Sequence, residues 1–131
     1  MDARPLVRTR RHRGARRSAP RIVSRGDSNL FNWLWGEPNV HVVDWEFIGH
    51  SDTVYDAAEL VEHLSARVID DEWRVALLPD HGIVDDTARR RFLAAQRTVA
   101  LSLLWKRGDK RADDVEFQVK WVRELMNSSF L

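Results

Sequence analysis

From Asn32 the chain reads NWLW, then GEPN, then VHVVDW. Two aromatic or β-branched runs separated by a Gly/Pro/Asn turn are the pattern of a β-hairpin. Side chains alternate along a strand, so Val40, Val42 and Asp44 are expected on one face and His41, Val43 and Trp45 on the other. By the same rule Trp33 and Trp35 share a face, and rings of that size are expected to pack into the core. Upstream, RIV (21–23) is a short β-prone piece, and Gly26 permits a sharp backbone turn before the hairpin.

Beyond residue 51 the apolar period changes to that of a helix. Val54, Ala57, Ala58, Val61 and Leu64 recur at helical spacing over 52–68, with Asp52 as an N-cap. A short helix is expected within 70–83, closed by Pro79 and the turn residues up to Gly82. The segment 85–108 carries Ala88, Phe92, Ala95, Val99 and Leu103 on one stripe, widened by Leu93, Ala100 and Leu104. It is the expected central helix, with Asp85 and Asp86 at its N-terminus and Lys106, Arg107 and Gly108 at its C-terminus, as the helix dipole and the C-cap preference favour. A last helix, about 112–127, opens at Asp113 or Asp114 and presents Val115, Val119, Val122 and Met126. The predicted class is α+β, mostly α: one hairpin followed by a helical bundle.

Composition narrows the setting. At 131 residues the chain is the size of one domain, and 44% hydrophobic with 31% charged residues suits a soluble globular protein. No apolar run approaches the roughly 20 residues of a membrane span. Cysteine is absent, which excludes disulfides and thiolate metal sites and makes the cytoplasm the default location. The net charge of +1 hides a split: residues 1–25 hold nine arginines against one acid, Asp2, leaving twelve basic and nineteen acidic residues beyond. Residues 1–20 are therefore expected to form an Arg-rich disordered tail, and 21–131 the folded part. A nucleic-acid patch, a targeting peptide and an intramolecular partner for the acidic body compete as roles for that tail. A solvated tail with no dedicated partner outweighs all three, since motif-free basic runs are common.

The chemistry concentrates around the hairpin. Asp27 sits on the glycine-permitted turn, Asn32 at the start of the first arm and Asp44 at the end of the second. A hairpin returns the chain to its start, so two carboxylates and one amide carbonyl can converge. These are hard oxygen donors of the kind Mg²⁺ accepts, and they fit phosphoryl transfer, where one carboxylate takes the proton of an attacking hydroxyl and the other donors hold the metal. His41, His50, His63 and His81 have no zinc-like spacing and are expected at packed, solvated or capping positions. The acidic pairs at 70–71, 85–86 and 113–114 most simply start helices, with a surface for a cationic acceptor as the competing reading.

Three segments, RGDSNLFN, VVDWEF and SDTVYDAAELVEH, resemble in order and spacing the C-terminal lobe of the aminoglycoside phosphotransferase and choline kinase-like family, which has a protein-kinase-like fold. That family's pattern is a His-Gly-Asp loop with Asn five residues on, then a hairpin ending in an Ile-Asp-Trp-Glu type segment, then an Asp-x-x-Tyr-Asp-Leu-Ala helix start. The resemblance implies that Asp27 is the catalytic base facing an acceptor hydroxyl and that Asn32 and Asp44 are Mg²⁺ ligands. Tyr55 and Asp56 fall in the scaffolding motif, and Trp45 and Glu46 support the metal ligand. It also implies ATP and Mg²⁺ as cofactors and a small-molecule alcohol as the partner, with no residue assigned to the nucleotide.

Two departures stand beside these matches. Arg25 occupies the position of the family's histidine, where it can pair with Asp27 or Asp44. Nothing before Arg21 resembles the phosphate-covering loop or the phosphate-pairing lysine of an N-terminal lobe. The expectation is a truncated or divergent phosphotransferase, partnered by a missing N-terminal lobe or by a second copy. The alternatives are a non-catalytic lobe remnant acting as a binding module and, behind it, nucleic-acid association through the tail.

Overall fold

The computed structural model describes residues 21–106 and 112–128. The tail expected over 1–20 and the helix end expected at Arg107 and Gly108 lie outside the described residues. Strand β1 (Ile22–Ser24) pairs antiparallel with β4 (Gly49–Ser51), Val23 opposite His50. Between them lies the predicted hairpin, β2 (Trp33–Gly36) with β3 (Asn39–Val42), in the register Trp33 to Val42 and Trp35 to Val40. Each pair is its own two-stranded sheet. Gly26 adopts φ 73°, and a Cβ there would lie 2.3 Å from the Phe47 carbonyl oxygen. Only glycine allows the turn after β1 to pass so close to the segment leading into β4.

Two expectations about the hairpin are corrected. The alternation does not reach Asp44, because β3 ends at Val42 and Asp44 turns into the left-handed region at φ 65°. Nor do Trp33 and Trp35 enter the core: they are 40% and 82% exposed. A two-stranded ribbon has no second layer over that face, and the apolar interior is built among the helices instead.

Helix α1 (Thr53–Glu62) starts where predicted, Asp52 Oδ1 accepting from the amides of Val54 at 3.0 Å and Tyr55 at 3.1 Å. It ends earlier than the apolar pattern suggested. His63 is extended at ψ 144°, and Leu64–Val68 form a 3₁₀ turn, because the His63 ring accepts from the Ser65 amide and caps that turn. Helix α2 (Asp71–Leu77) is capped by Asp70 and followed by a 3₁₀ turn at Pro79–His81 that closes on Gly82, φ 73°. Asp85 Oδ1 accepts from Ala88 N and caps α3 (Asp86–Lys106). Ala57 and Ala58, both fully buried, let α1 and α3 approach closely, and Val54, Val61, Ile83 and Phe92 complete that core.

Helix α4 (Ala112–Asn127) packs on α3 through a second cluster of Leu93, Ala100 and Leu125, joined by Trp121 and Val122. Its inward face matches the predicted stripe only in part: Val122 packs inward, but Met126 is exposed and Gln118, outside the stripe, is 1% exposed. Polar pairing sets this rotation. Gln118 donates to the Ala100 carbonyl at 3.0 Å and accepts from Arg67 at 2.6 Å. Trp121 Nε1 donates to Glu62 Oε2 at 2.6 Å, and Gln96 donates to Glu62 Oε1 at 2.9 Å. Arg97 fastens the end of α4 by donating to the carbonyls of Leu125 and Ser128. Among the described residues no helix is long and apolar enough to cross a membrane.

Burial raises the pKa of Glu62, partly offset by the hydrogen bonds from Trp121 and Gln96 and by the charges of Arg74 and Arg67. A carboxyl raised on folding binds its proton more tightly in the folded chain. Its stabilising contribution is complete below the ordinary value of 4.5 and is lost as pH rises through the raised one. Urea unfolding of the wild type from about pH 4 to about pH 8 is expected to show this fall, and Glu62→Gln to flatten it. Parallel profiles for the two chains would mean that Glu62 does not titrate across this window.

Candidate active site

The loop between β1 and β2 is built from side chains that satisfy its own backbone. Ser24 Oγ accepts from the Gly26 amide at 3.0 Å, and Asp27 Oδ1 accepts from the Asn29 amide at 3.0 Å. Asn29 Oδ1 in turn accepts from Phe31 N, which starts a 3₁₀ turn at Leu30–Asn32. This local chemistry, typical of Asp, Asn and Ser in turns, delivers Asn32 to the base of the hairpin. There its carbonyl oxygen accepts from Val43 N at 3.0 Å. Its side-chain Nδ2 donates to Asp27 Oδ2 at 3.1 Å and to Asp44 Oδ2 at 3.4 Å. The structure thus brings Asp27, Asn32 and Asp44 together, with the amide bridging two carboxylates.

Arg25, at the family's histidine position, reaches across the same loop. Its guanidinium donates to the Val43 carbonyl at 3.2 Å and the Asn29 carbonyl at 3.3 Å, and Nη1 lies 3.8 Å from Asp27 Oδ2. It ties the middle of the loop to the residue that follows β3 and meets Asp27 only at the outer limit of an ion pair. Trp45 Nε1 donates to the Val42 carbonyl at 2.8 Å, bracing the bend at Asp44. Tyr55 and Asp56 stand in the first turn of α1. The Tyr55 hydroxyl is pushed up from its usual pKa by burial first and then by the charges of Glu59 and Asp56. Asp56 Oδ1 is buried with no hydrogen-bond partner among the described residues. Asp52 also accepts from Arg91 at 3.2 Å, tying α3 to the start of α1.

His63 adds a residue that the sequence reading left among capping and solvated histidines. It does cap, and its Nε2 also lies 3.6 Å from Asp27 Oδ1. Two cavities open onto Asp27. One, of about 300 Å³, is lined by Phe47, Tyr55, Glu59 and His63. The other, of about 770 Å³, is walled by Trp33, Trp35, Trp73, Leu60 and Leu77, with Asp56 in its lining. Among the described residues no three His, Asp or Glu side chains gather as a metal cluster. The oxygen donors at the loop are the carboxylates of Asp27 and Asp44 and the amide of Asn32.

A model of the phosphotransferase enzyme family matches residues 2–93. The chain belongs to this family. No curated protein and no solved structure matches it. The phosphotransferase match runs from residue 2 into α3, so it takes in the arginine-rich segment as well as the loop, the hairpin and α1. The described residues have the α+β, mostly helical architecture of the family's C-terminal lobe, as the order of the three motifs predicted. Asp27, Asn32, Asp44, Arg25, Trp45, Tyr55 and Asp56 all fall within the matched span.

Asp44 is the only described non-glycine residue with positive φ. Such a backbone costs about 1 kcal/mol or more and is tolerated where the surroundings dictate it. In chemical denaturation Asp44→Gly is expected to be more stable than Asp44→Ala by about 1 kcal/mol, since both remove the carboxylate and only glycine relieves the strain. Equal stability of the two variants would mean that the position carries no such strain.

Proposed function

We propose that this phosphotransferase moves the γ-phosphoryl group of ATP to the hydroxyl of a small molecule in the cytoplasm. The observation that carries the reading is the convergence of Asp27, Asn32 and Asp44 around one amide bridge, within the span that the family matches. Asp27 acts as the base: as the acceptor oxygen forms its bond to phosphorus and the bond to the ADP oxygen breaks, the hydroxyl proton passes to the carboxylate. Asn29 N–H and the Asn32 amide orient that carboxylate from its two oxygens. The cavities beside Asp27 give the acceptor room to place a hydroxyl there.

The donor set fits Mg²⁺, which takes one or two carboxylates from a protein and fills the rest of its shell with water and phosphate oxygens. Asn32 and Asp44 would hold it, and when bound it would neutralise charge on the phosphates. On this reading the described residues furnish the acceptor and metal side of the reaction. A partner lobe supplies the lysine and phosphate-covering loop on the nucleotide side.

The test is Mg²⁺-dependent ADP release from ATP with a panel of amino-sugar and amino-alcohol acceptors, wild type against Asp27→Asn. Loss of the base is expected to lower kcat by about a hundredfold to ten-thousandfold. Equal rates would remove Asp27 from the chemistry, and a wild type that neither turns over nor binds ATP with Mg²⁺ would favour the non-catalytic lobe.

A further inference from the structure

Asp27 is held by more than its own loop. Arg25 stands at the family's loop-histidine position, and an imidazole faces the carboxylate from elsewhere, from His63 at the end of α1. This histidine is 36 residues further along the chain and arrives by a different element. We propose that His63 is the positioning residue of Asp27, presenting a neutral Nε2–H to Oδ1 through a hydrogen-bonded chain anchored in the loop itself. The inference rests on the reading of Asp27 as the base.

The fixed donors in that chain are its two backbone amides, Leu30 and Ser65. The Leu30 backbone amide, inside the Asp27–Asn32 loop, donates to Ser65 Oγ at 2.9 Å. Ser65 Oγ lies 2.8 Å from His63 Nδ1, and a hydroxyl that accepts from Leu30 still has both its proton and a second lone pair to offer that nitrogen. The Ser65 backbone amide donates to Nδ1, at 3.2 Å. A backbone N–H has no choice but to donate, so Nδ1 is an acceptor and the ring proton lies on Nε2, the nitrogen 3.6 Å from Asp27 Oδ1; the Ser65 hydroxyl then turns its own proton to Nδ1. A proton on Nδ1 would instead confront the Ser65 amide hydrogen.

Ser65 is buried, so the anchor of this chain is shielded from competing water, while His63 and Asp27 keep one side open to the cavity. The separation of 3.6 Å exceeds a full hydrogen bond, and contacts to a catalytic base are often long until substrate is in place. The result is a carboxylate with donors on both oxygens. Asn29 N and His63 face Oδ1, while Asn32 and, more distantly, Arg25 face Oδ2. Neutrality matters here. Arg25 already brings a permanent positive charge near Asp27, and a second cation would weaken the carboxylate as a proton acceptor. A neutral N–H orients it without adding charge.

The test joins a spectroscopic readout with kinetics. In uniformly ¹⁵N-labelled chain near neutral pH, the His63 ring shifts are expected to report the Nε2–H tautomer. Asp27→Asn is expected to move the Nε2 signal, and Ser65→Ala, which removes the hydroxyl but keeps the backbone amide on Nδ1, to weaken the tautomer preference without reversing it. In the phosphoryl-transfer assay, His63→Leu is expected to lower kcat by about tenfold to a hundredfold, the worth of a hydrogen bond to a charged group, while acceptor KM stays within about twofold. His63→Gln, whose amide N–H can reach the same place, is expected to recover most of that loss.

An Nδ1–H tautomer, ring signals indifferent to Asp27→Asn, or a His63→Leu chain as fast as wild type would each overturn the proposal. Should the wild type fail to turn over, the proposed activity of this chain falls, and the ring signals still decide whether His63 holds the carboxylate. Should His63→Leu fail to fold, Ser65→Ala serves as the kinetic variant, with a reduced kcat expected and an unchanged kcat counting against the proposal.

Discussion

Two carboxylates meeting at the base of a hairpin repel one another, and the arrangement stands because one amide lies between them. Asn32 Nδ2 donates to both Asp27 and Asp44, replacing part of what water or a cation would otherwise supply. The surrounding local geometry serves that bridge. Gly26 allows the turn that places Asp27, and the Asn29-capped 3₁₀ turn delivers Asn32. The left-handed bend at Asp44 turns its carboxylate back toward the loop instead of along the strand.

A hairpin of four-residue strands cannot hold such a loop by itself, since an isolated two-stranded ribbon is marginal in water. Stability comes from the helices, where Ala57 and Ala58 bring α1 against α3 and Phe92 fills the space beside them. The loop is fastened to this body at Ser65, through the Leu30 amide, and at His63, through Asp27. Further out, Glu62 collects the Gln96 and Trp121 donors and Gln118 joins Arg67 to Ala100, so α4 is seated by polar pairs as much as by Leu93, Ala100 and Leu125. A buried carboxylate of this kind costs desolvation, and its contribution depends on the donors that meet it.

Much of this was legible along the chain. Asp52, Asp70 and Asp85 cap the helices they precede, the hairpin runs as its β-branched and aromatic runs indicate, and the three family motifs lie in the order that the fold requires. Other features were not. The exposure of Trp33 and Trp35 depends on whether anything covers the ribbon, which alternation cannot say. Of the expected α4 stripe, Val122 packs inward and Met126 does not, and the buried face also takes in Gln118 and Leu125, because hydrophobic spacing assigns no weight to a buried amide. His63 carried a partial signal, a helix end followed by Ser65, enough to suggest a cap and silent on the carboxylate beyond it.

The sequence by itself determined the local conformations: the glycine turn at Gly26, the Asx turn at Asp27, the helix caps and the hairpin. Each draws mainly on residues a few positions apart, through short-range hydrogen bonds and steric limits, although the fold reinforces them, as the Phe47 carbonyl does at Gly26. Only the tertiary structure decided which side chains meet across the fold. Arg25 crosses to Val43, Ser65 receives Leu30, and His63 faces Asp27 because helix packing brings the end of α1 beside the loop. Those meetings depend on the docking of whole elements, a property of their summed buried surfaces that no short stretch of residues contains.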